Sequence, residues 1–379
     1  MKILIDARLY GLENAGLGRY IINLIDELVN LDKKNEYVLL LRKKYFKQLD
    51  LPENWEKVPT DFRHYSFAEQ IKLPGLIKRI NPDITHFPHF NVPIFFRGKY
   101  IVTIHDILMH KQEGKKATTL PAPLYYFKRI GYRVAFRKAV CGSLKIIVPS
   151  KFVKKELADY YGLNKDKVIV AYEGVDSNLI PKGTEKRILE KYKVTKPYLI
   201  YAGNAYPHKN LKRAIEAVGQ INKEGKKITL LIASARNVFT KRLRGVVAKL
   251  NAQTYVKLLS FVPDDELGTL YKSSLAFLYP SLSEGFGLPG MEAIQAGTLV
   301  LASDIPVFQE VYEDNVLYFN PLDFSSIAKT IKNAMSMGEK ERERRISRSQ
   351  NFIKRYSWIK MAKKTLETYE DSAFIRQSK

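Results

Sequence analysis

Short apolar runs alternate with longer segments in which apolar residues recur every three or four positions, and this alternation begins at the first residues. The short runs predict buried strands, and the longer spacing is typical of amphipathic helices. Strands are predicted at residues 3–5, 37–41, 84–87, 100–104, 146–148 and 168–171. Strands that alternate with helices indicate βα units and therefore a parallel sheet.

A second series of the same kind follows a polar stretch at residues 172–196, where Gly174 and Pro181 are typical of a linker. Its predicted strands are residues 198–202, 228–233, 256–259, 275–279 and 299–302. A final amphipathic helix is predicted at residues 357–369, with Ile359, Ala362, Leu366 and Tyr369 on its apolar face. We therefore expect an α/β protein of two doubly wound, Rossmann-like domains, residues 1–180 and residues 190–355.

Local signals indicate where two of the helices begin. Ser150 is a natural N-cap, which predicts a helix over residues 151–161. The segment Gly16-Leu-Gly-Arg19 follows the first predicted strand and is interpreted as a loop that precedes a helix. Glycine pairs after a first strand also occur in NAD-dependent enzymes. This segment lacks the third glycine of the dinucleotide fingerprint, which disfavours a redox enzyme.

Composition and charge narrow the classes of function. A chain of 379 residues with 45% hydrophobic residues fits two folded domains. The net charge of +24 favours phosphate-rich partners or an anionic membrane surface. A nucleic-acid-binding protein is the first alternative, although the sequence contains no recognition-helix, zinc-finger or aromatic RNA-binding pattern.

Cysteine usage and hydropathy indicate the compartment. The single cysteine, Cys141, excludes an internal disulfide framework and fits a reducing compartment. Asp6 interrupts the apolar start where a signal peptide would continue, and no apolar run reaches the roughly 20 residues that span a bilayer. We therefore expect a cytoplasmic protein.

The densest chemical signal lies in residues 280–297, which contain Glu284-Gly-Phe-Gly-Leu-Pro-Gly-Met-Glu292. The segment follows a predicted strand, and we expect a helix to begin near Leu288. Its glycines allow the backbone to approach a ligand closely, and the amides at a helix N-terminus suit a phosphate. Glu284 in the loop and Glu292 one turn into the helix could bind a sugar and a ribose, respectively, through their hydroxyl groups.

This segment resembles the Glu-x7-Glu signature of the family 4 retaining glycosyltransferases, which have the GT-B fold. Further motifs follow the order of the family: Gly16-Leu-Gly-Arg19, His105-Asp106, Val148-Pro-Ser150, Glu173-Gly-Val-Asp176 and the segment 203–210. The resemblance implies two Rossmann-like domains that face a central cleft, with the C-terminal helix, residues 356–379, crossing back to the first domain. It also implies transfer of a hexose from a nucleotide sugar.

The resemblance assigns roles to single residues. His105, Lys209 and Glu284 form the catalytic set, in which His105 contacts the donor sugar and Lys209 meets the diphosphate. The donor-binding residues that it implies are Gly16, Gly18, Asn204, Val262, Gly285, Phe286, Gly287, Leu288 and Glu292. Arg19 and Asp106 are assigned to the acceptor side, and Asp106 is the alternative candidate for orienting His105.

Three further positions follow predicted strands in the second half of the chain: Asn204, His208 and Val262. Many family members carry arginine where this chain has Asn204, so a second cation on the leaving group is missing or is supplied elsewhere. His208 is interpreted as a solvent-exposed loop residue, with a direct role at the site as the less favoured alternative. Val262 belongs to residues 261–267, which resemble the loop that meets the nucleotide base through backbone groups.

No metal ion and no other cofactor is expected, because the six histidines include no pair four residues apart and the sequence contains no Asp-x-Asp triplet. The charge of Lys209 and the amides at Gly287 and Leu288 would neutralise the departing nucleotide. The resemblance implies retention at the anomeric carbon, and we expect the acceptor to attack from the face of the leaving group.

The pattern is most similar to mannosyltransferase-like members that build surface polysaccharides. GDP-mannose is therefore the preferred donor, with UDP-glucose and UDP-N-acetylglucosamine as alternatives, and the expected acceptor is a glycan or a lipid-linked glycan. The alternative from another class is a basic protein that binds nucleotide sugars or nucleic acid without turnover.

Residues 124–140 combine aromatic side chains with five cations. Two interpretations are open: a helix that rests on an anionic membrane, or an aromatic core face opposite a solvated basic face. Under the first interpretation, the protein is peripheral on the inner face of the membrane.

Overall fold

Seven parallel strands form one sheet in the first half of the chain, in the order β3-β2-β1-β4-β5-β6-β7. The strands are β1 Lys2–Asp6, β2 Glu36–Leu41, β3 Trp55–Pro59, β4 Ile84–Phe87, β5 Tyr100–Thr103, β6 Ile146–Val148 and β7 Val168–Val170. The order changes direction between β1 and β4, which is the doubly wound arrangement.

The computed structural model describes residues 1–62, 64–111, 122–175, 184–235 and 237–373. The chain divides into two units: Val175–Tyr356 forms the second, and Met1–Gly174 forms the first together with the segment that begins at Ser357. Within the described ranges, no helix combines the length and the apolar composition needed to cross a membrane.

Apolar runs predict the strands well because a parallel sheet covered on both faces buries successive side chains. Ile3, Leu4 and Ile5 are completely buried. All six strands predicted in the first half are present, with ends that agree within one residue. The sequence does not predict β3, because this edge strand is only partly buried and its Glu56 and Lys57 interrupt the apolar run.

The helices before residue 175 are α1 Ala15–Leu31, α2 Phe67–Ile80, α3 Leu108–Lys111, α4 Ala122–Gly142 and α5 Lys151–Tyr161. Helix α5 has the predicted bounds. Ser150 Oγ accepts a hydrogen bond from the amide of Val153 at 3.2 Å, which confirms the N-cap. Leu73 of α2, Phe136 of α4 and Leu157 of α5 belong to one hydrophobic core with the sheet, so these helices cover the same face.

The glycine segment after β1 is helical, and its prediction as a loop is wrong. Helix α1 begins at Ala15, so Gly16, Gly18 and Arg19 lie in its first turns. A Cβ atom at Gly18 would lie 1.9 Å from the carbonyl oxygen of Gly11, whereas one at Gly16 would meet no described atom within 4 Å. Gly18 is therefore required by the close packing of the helix against the preceding loop, and it does not supply a loop conformation.

The second unit contains a parallel six-stranded sheet in the order β10-β9-β8-β11-β12-β13. The strands are β8 Tyr198–Ala202, β9 Thr229–Ala233, β10 Val256–Leu259, β11 Ala276–Tyr279, β12 Val300–Ser303 and β13 Leu317–Phe319. The five strands predicted in this half are present. The sequence does not predict β13, a three-residue edge strand in which Leu317 and Tyr318 are only half-buried.

The helices of the second unit are α6 Glu185–Lys191, α7 Leu211–Lys223, α8 Val238–Lys249, α9 Asp264–Ser273, α10 Leu288–Gln295, α11 Pro306–Tyr312, α12 Phe324–Ser336 and α13 Glu339–Ile353. Helix α10 begins at the predicted residue. Helix α6 corrects the prediction of a linker over residues 172–196: it is mostly polar and buries Ile188, so it lacks a clear apolar pattern. Asp176 and Pro181 lie outside the described residues.

The last helix, α14 Trp358–Ala373, belongs to the first unit and packs against α1, which confirms the predicted return. Trp358 packs on Gly174 so closely that a Cβ atom on the glycine would lie 2.2 Å from the Trp358 nitrogen. Ile359 is exposed, contrary to the prediction. The buried face of the helix instead consists of Trp358, Met361, Ala362, Thr365, Thr368, Tyr369 and Ser372. Residues 374–379 of the predicted helix lie outside the described residues.

Candidate active site

The second sheet changes direction between β8 and β11, which are paired although β9 and β10 separate them along the chain. In doubly wound sheets, ligands bind outside the carboxyl ends of the strands at such a switch point. Lys209 lies after β8, and Glu284 lies after β11. The fold of the second unit therefore brings together two of the three predicted catalytic residues.

The backbone of the Lys209 loop is anchored on both sides. Pro207–Lys209 form a 3-10 turn, and Asn210 follows in the left-handed region with a φ of 56°. The side-chain amide of Asn210 donates to the carbonyl of Pro321 at 2.8 Å. The amide of Leu282 donates to the carbonyl of His208 at 2.7 Å. This last bond joins the loop after β8 to the loop after β11.

Lys209 and Glu284 form a largely buried ion pair. Lys209 Nζ donates to Glu284 Oε1 at 2.6 Å, and the two side chains are 15% and 11% exposed. Burial opposes the charged form of Glu284, but the charge and the hydrogen bond of Lys209 outweigh it, so the pKa of Glu284 lies below its usual value. A carboxylate accepts hydrogen bonds from hydroxyl groups, and lysine provides a point charge that suits a phosphate.

The glycine-rich loop after Glu284 is shaped by a buried tyrosine. Gly287 precedes α10 with a φ of 120°, which strongly favours glycine. Tyr312 donates its hydroxyl hydrogen to the carbonyl of Gly287. A Cβ atom at Gly287 or Gly290 would lie 2.6 or 2.3 Å from the same hydroxyl oxygen. The contact with Tyr312 therefore explains both glycines and holds the N-terminus of α10, where free amides suit an anion.

The other predicted residues of this segment surround the same loop. Glu292 lies one turn into α10, as predicted, and its side chain is 8% exposed. Phe286 and Leu288 are buried, and Gly285 follows Glu284 directly. These residues are close together in the structure, and their roles toward a ligand stay predictions.

Asn204 and Val262 lie at the same edge of the sheet, Asn204 on the loop that carries Lys209 and Val262 on the loop after β10. Asn204 follows β8, and its carbonyl accepts a hydrogen bond from the Tyr201 hydroxyl at 2.8 Å. Val262 lies between β10 and α9, and its side chain is buried. A ligand that approaches Val262 would therefore meet its backbone.

His208 is half-buried, so its interpretation as a solvent-exposed loop residue is wrong. Its Nδ1 atom is buried and has no hydrogen-bond partner among the described residues. Burial, and then the charge of Lys209, lower the pKa of His208 to about 4. The hydrogen bond from Leu282 draws this loop inward, and sequence spacing does not reveal such a contact between distant loops.

In the first unit, His105 follows β5, the neighbour of the strand pair at which the sheet changes direction. Its Nδ1 lies 3.2 Å from Glu173 Oε1, and its Nε2 lies 3.1 Å from the carbonyl oxygen of Pro88. Tyr20 packs edge-on against the ring, with the centroids 4.7 Å apart. Contacts at both ring nitrogens and on one face fix the orientation of the imidazole.

Glu173 is the carboxylate that contacts His105, a role that the motif Glu173-Gly-Val-Asp176 did not reveal. Its signal was its place just after β7, where polar side chains reach the carboxyl edge of the sheet. Asp106, predicted either to meet the acceptor or to orient His105, accepts a hydrogen bond from the amide of Leu108 at 2.9 Å. Arg19 lies half-buried on α1.

A buried ionic cluster at the same edge was missed by sequence reasoning. Arg8 donates to both carboxylate oxygens of Asp6, at 2.7 and 2.6 Å, and lies 2.7 Å from Glu69. Asp6 also lines a cavity together with His64 and His89. Burial lowers the pKa of His64 to about 4 and that of His89 to about 3. Charged residues directly after a buried strand were the available signal.

Over the part of the chain that the structure describes, no three His, Cys, Asp or Glu side chains are grouped so that they could hold a metal ion.

Residues 15–179 match the family model described as Glycosyltransferase Family 4. Residues 184–352 match the model described as Glycosyl transferases group 1.

Two curated relatives match over most of their length. The chain is 29% identical to the O-antigen chain mannosyltransferase RfbU of Salmonella typhimurium, over 78% of this chain and 76% of the relative. It is 24% identical to O-antigen chain mannosyltransferase B of Escherichia coli, over 98% of this chain and 100% of the relative.

Solved structures share the whole fold. A glycosyltransferase from Rickettsia africae has a TM-score of 0.73 and 20% identity, with 99% of each chain covered. HepE of Anabaena, solved in complex with UDP and glucose, has a TM-score of 0.73 and 17% identity, with 98% of this chain and 100% of HepE covered. These likenesses confirm the predicted pair of Rossmann-like domains. With the GT-B fold and with both halves of its sequence matching glycosyltransferase models, the chain belongs to the family 4 glycosyltransferases.

Proposed function

We propose that this glycosyltransferase moves a hexose from a nucleotide sugar to a glycan or lipid-linked acceptor in the synthesis of cell-envelope polysaccharide. GDP-mannose is the preferred donor, because the similar proteins from Salmonella typhimurium and Escherichia coli are named as O-antigen chain mannosyltransferases. The observation that carries the proposal is the Lys209–Glu284 pair beside the start of α10. One group suits a phosphate and the other suits a hydroxyl, and a nucleotide sugar contains both.

In this proposal, Lys209 exchanges Glu284 for the diphosphate when the donor binds. Lys209 and the amides at Gly287 and Leu288 then neutralise the charge that develops on the departing nucleotide, so a metal ion is not required for that step. The released Glu284 carboxylate accepts hydrogen bonds from sugar hydroxyls. Glu292, one turn into α10, binds the ribose hydroxyls.

The reaction retains the configuration of the anomeric carbon. The bond between that carbon and the diphosphate oxygen breaks, and the acceptor oxygen forms the new bond on the same face. The departing phosphate takes the proton of the acceptor hydroxyl, so the protein mainly orients the reactants and stabilises negative charge. No carboxylate nucleophile takes part in this sequence of steps.

The first unit supplies the remaining proposed contacts. His105 touches the donor sugar from the end of β5. The start of α1, with Gly16, Gly18 and Arg19, and the loop at Asp106 face the donor phosphates or the acceptor. These assignments follow the resemblance in motif order, and the position of each residue at the carboxyl edge of the sheet supports them.

Nucleotide release from a panel of GDP-mannose, UDP-glucose and UDP-N-acetylglucosamine tests the function. We expect the fastest release from GDP-mannose, either to water or to an added mannoside acceptor. Faster release from a UDP sugar would identify that sugar, and not GDP-mannose, as the donor. Binding of nucleotide sugars without release from any of them would favour a non-catalytic protein. Steeply salt-dependent binding of nucleic acid in place of nucleotide sugars would favour the nucleic-acid alternative.

Contact with an anionic membrane is proposed for the first half of α4. Phe136 and Val140 in the second half of this helix are buried in the core, whereas Tyr126, Phe127 and Ile130 in the first half are exposed. The helix contains five lysines and arginines and no acidic residue. Exposed aromatic side chains beside cations are typical of helices that lie on anionic lipid surfaces. We propose that the protein is peripheral on the cytoplasmic face of the membrane.

Flotation with phosphatidylglycerol vesicles tests this contact. We expect binding to weaken with added salt and to be lost in a Phe127→Ser, Ile130→Ser variant. Phe261→Ser is the matched control, because Phe261 is an equally exposed aromatic residue of the second unit. The proposed contact would be rejected if the double variant bound as well as Phe261→Ser. It would also be rejected if the wild-type protein bound phosphatidylcholine vesicles as well as phosphatidylglycerol vesicles.

A further inference from the structure

The imidazole of His208 occupies an unusual position in the second unit. Its backbone carbonyl is tied to the amide of Leu282 at 2.7 Å, and the ring of Tyr206 stacks on its ring with centroids 5.8 Å apart. The backbone bond therefore joins the His208 loop to the loop after β11, and the ring of Tyr206, from the same loop as His208, lies against the imidazole. Its Nδ1 atom is nevertheless buried and makes no hydrogen bond to any described residue. Buried polar atoms in native proteins nearly always have a partner, so this atom needs an explanation.

The surroundings of His208 point to a ligand. Lys209 and Glu284 are the charged groups that act on its ionisation, so the ring lies beside their ion pair. The hydroxyl groups of Ser281 and Tyr279 also lie beside Glu284. The unpartnered ring nitrogen of His208 therefore lies in a polar neighbourhood, at the point where the donor is proposed to bind.

The chemistry of the ring selects the kind of ligand atom. Burial and Lys209 keep the imidazole neutral at physiological pH. A neutral ring nitrogen is either a donor or an acceptor, depending on the tautomer. A hydroxyl group can satisfy both forms, whereas a phosphate oxygen satisfies one. A sugar hydroxyl can also donate to the carboxylate of Glu284 while it accepts a hydrogen bond from the imidazole.

We propose that His208 binds a hydroxyl group of the donor sugar through Nδ1 and acts together with Glu284 in selecting the sugar. The inference rests on the proposed function, because it takes a nucleotide sugar as the ligand. It assigns a role to a residue that the sequence places merely beside the lysine.

Calorimetric titration of the full chain tests the role of His208. The ligands are GDP-mannose and GDP, or the UDP sugar and UDP if the donor panel selects a UDP sugar. We expect His208→Ala to weaken binding of the nucleotide sugar about 3- to 10-fold, which is the worth of one neutral hydrogen bond, and to leave binding of the nucleoside diphosphate within about twofold. His208→Asn places an amide where Nδ1 lies and should retain most of the affinity. Lys212→Ala, an exposed cation on the following helix, is the control and should change neither.

The possible outcomes are distinct. Equal weakening of the nucleotide sugar and the diphosphate in His208→Ala would overturn the hydroxyl assignment, as would no weakening of either. A folded His208→Asn that is as impaired as His208→Ala would overturn the role of Nδ1. The proposed function itself fails if the wild-type chain binds every nucleotide sugar no more tightly than the diphosphate and releases nucleotide from none of the sugars tested. The inference about His208 then fails with it.

Discussion

The ion pair between Lys209 and Glu284 joins residues that are 75 positions apart and belong to different loops. Each partner lowers the cost of keeping the other charged in a largely buried place. In the proposed function, the pair keeps a cation ready at the site before a diphosphate arrives. The carboxylate of Glu284 would then become available for hydroxyl groups when Lys209 turns to the phosphate.

Lys209→Ala should lower donor turnover by about 100-fold or more, because it removes one preorganised group that stabilises the leaving diphosphate. The melting temperature should fall much less than activity, since the mostly buried Glu284 can become protonated when its counter-charge is lost. Nucleotide release at saturating donor measures the first effect, and thermal unfolding measures the second.

Lys212→Ala is the matched control for this prediction. Lys212 is the next lysine along the chain, its side chain is exposed, and it pairs with Glu216 on the surface of α7. We expect wild-type turnover in this variant. A folded Lys209→Ala protein with unchanged turnover would show that the lysine does not act on the leaving group.

Glu173 should act on the reaction through His105. Its side chain is 5% exposed and bonds the imidazole, while the next residue, Gly174, is held against Trp358. We expect Glu173→Ala to lower kcat about 10-fold, with a smaller change in the melting temperature, because the imidazole loses its orientation. The same substitution in a His105→Ala background should have little further effect on kcat.

Independent losses in the two backgrounds would contradict the coupling of Glu173 to His105. Glu173→Gln is the conservative comparison. Its side-chain oxygen can still accept a hydrogen bond from Nδ1, so this variant should recover part of the lost kcat.

Sequence patterns predicted single residues where the chemistry is local. The positions of Glu284 and Glu292 relative to the start of α10 follow from their spacing, and the structure agrees with it. The structural role of Gly18, the burial of His208 and the bond from Glu173 to His105 depend on contacts between segments that are distant along the chain. Hydrophobic spacing carries no information about such contacts.

At the scale of elements, a chain of buried hydrogen bonds connects α14 to the strand that carries His105. Tyr369 of α14 bonds His86 Nδ1 at 2.7 Å, and His86 Nε2 bonds Thr103 at 2.8 Å. Thr103 also bonds the hydroxyl of Tyr20, whose ring packs against His105. The last helix is thus part of the polar interior of the first unit.

Tyr369→Phe should lower the free energy of unfolding by about 1–3 kcal/mol, because it leaves a buried ring nitrogen of His86 without a partner. Ile359→Ser is the control in the same helix. Its side chain is 46% exposed, so we expect a change within about 0.5 kcal/mol. Urea denaturation of both variants measures the difference, and equal stabilities would show that the hydrogen bond does not support the helix.

Elements were predictable where burial dominates. The central strands and α5 follow from apolar runs and from the Ser150 cap. Strand β3 and helix α6 could not be predicted from apolar runs. Both are partly exposed and contain many polar residues, so packing against neighbouring elements stabilises them. For α14, the period was right but the buried face was not: the face includes three threonine and serine residues, whose polarity hides it in the sequence.

At the scale of the whole molecule, five histidines are held neutral mainly by burial. The pKa is lowered to about 4 for His64, His110 and His208 and to about 3 for His86 and His89. Four of the five belong to the first unit. In the unfolded chain these side chains regain a pKa of about 6.5, so below that pH the unfolded chain binds more protons than the folded chain.

The contribution of these histidines to the free energy of unfolding should therefore be complete above about pH 6.5. It should fall as the pH is lowered toward 4, by up to about 1.4 kcal/mol per pH unit for each histidine. Ion-paired carboxylates such as Glu284 have pKa values below the usual range, so their contribution is lost only at lower pH, and the window from pH 6.5 to 5 isolates the histidines. Calorimetry of the full chain at pH 7.5, 6.5 and 5 measures the effect. We expect the transition of the first unit to shift to lower temperature more than that of the second, because four of the five histidines lie there. The prediction would be contradicted if the transition temperatures stayed constant from pH 7.5 to 5, or if the transition of the second unit shifted more than that of the first.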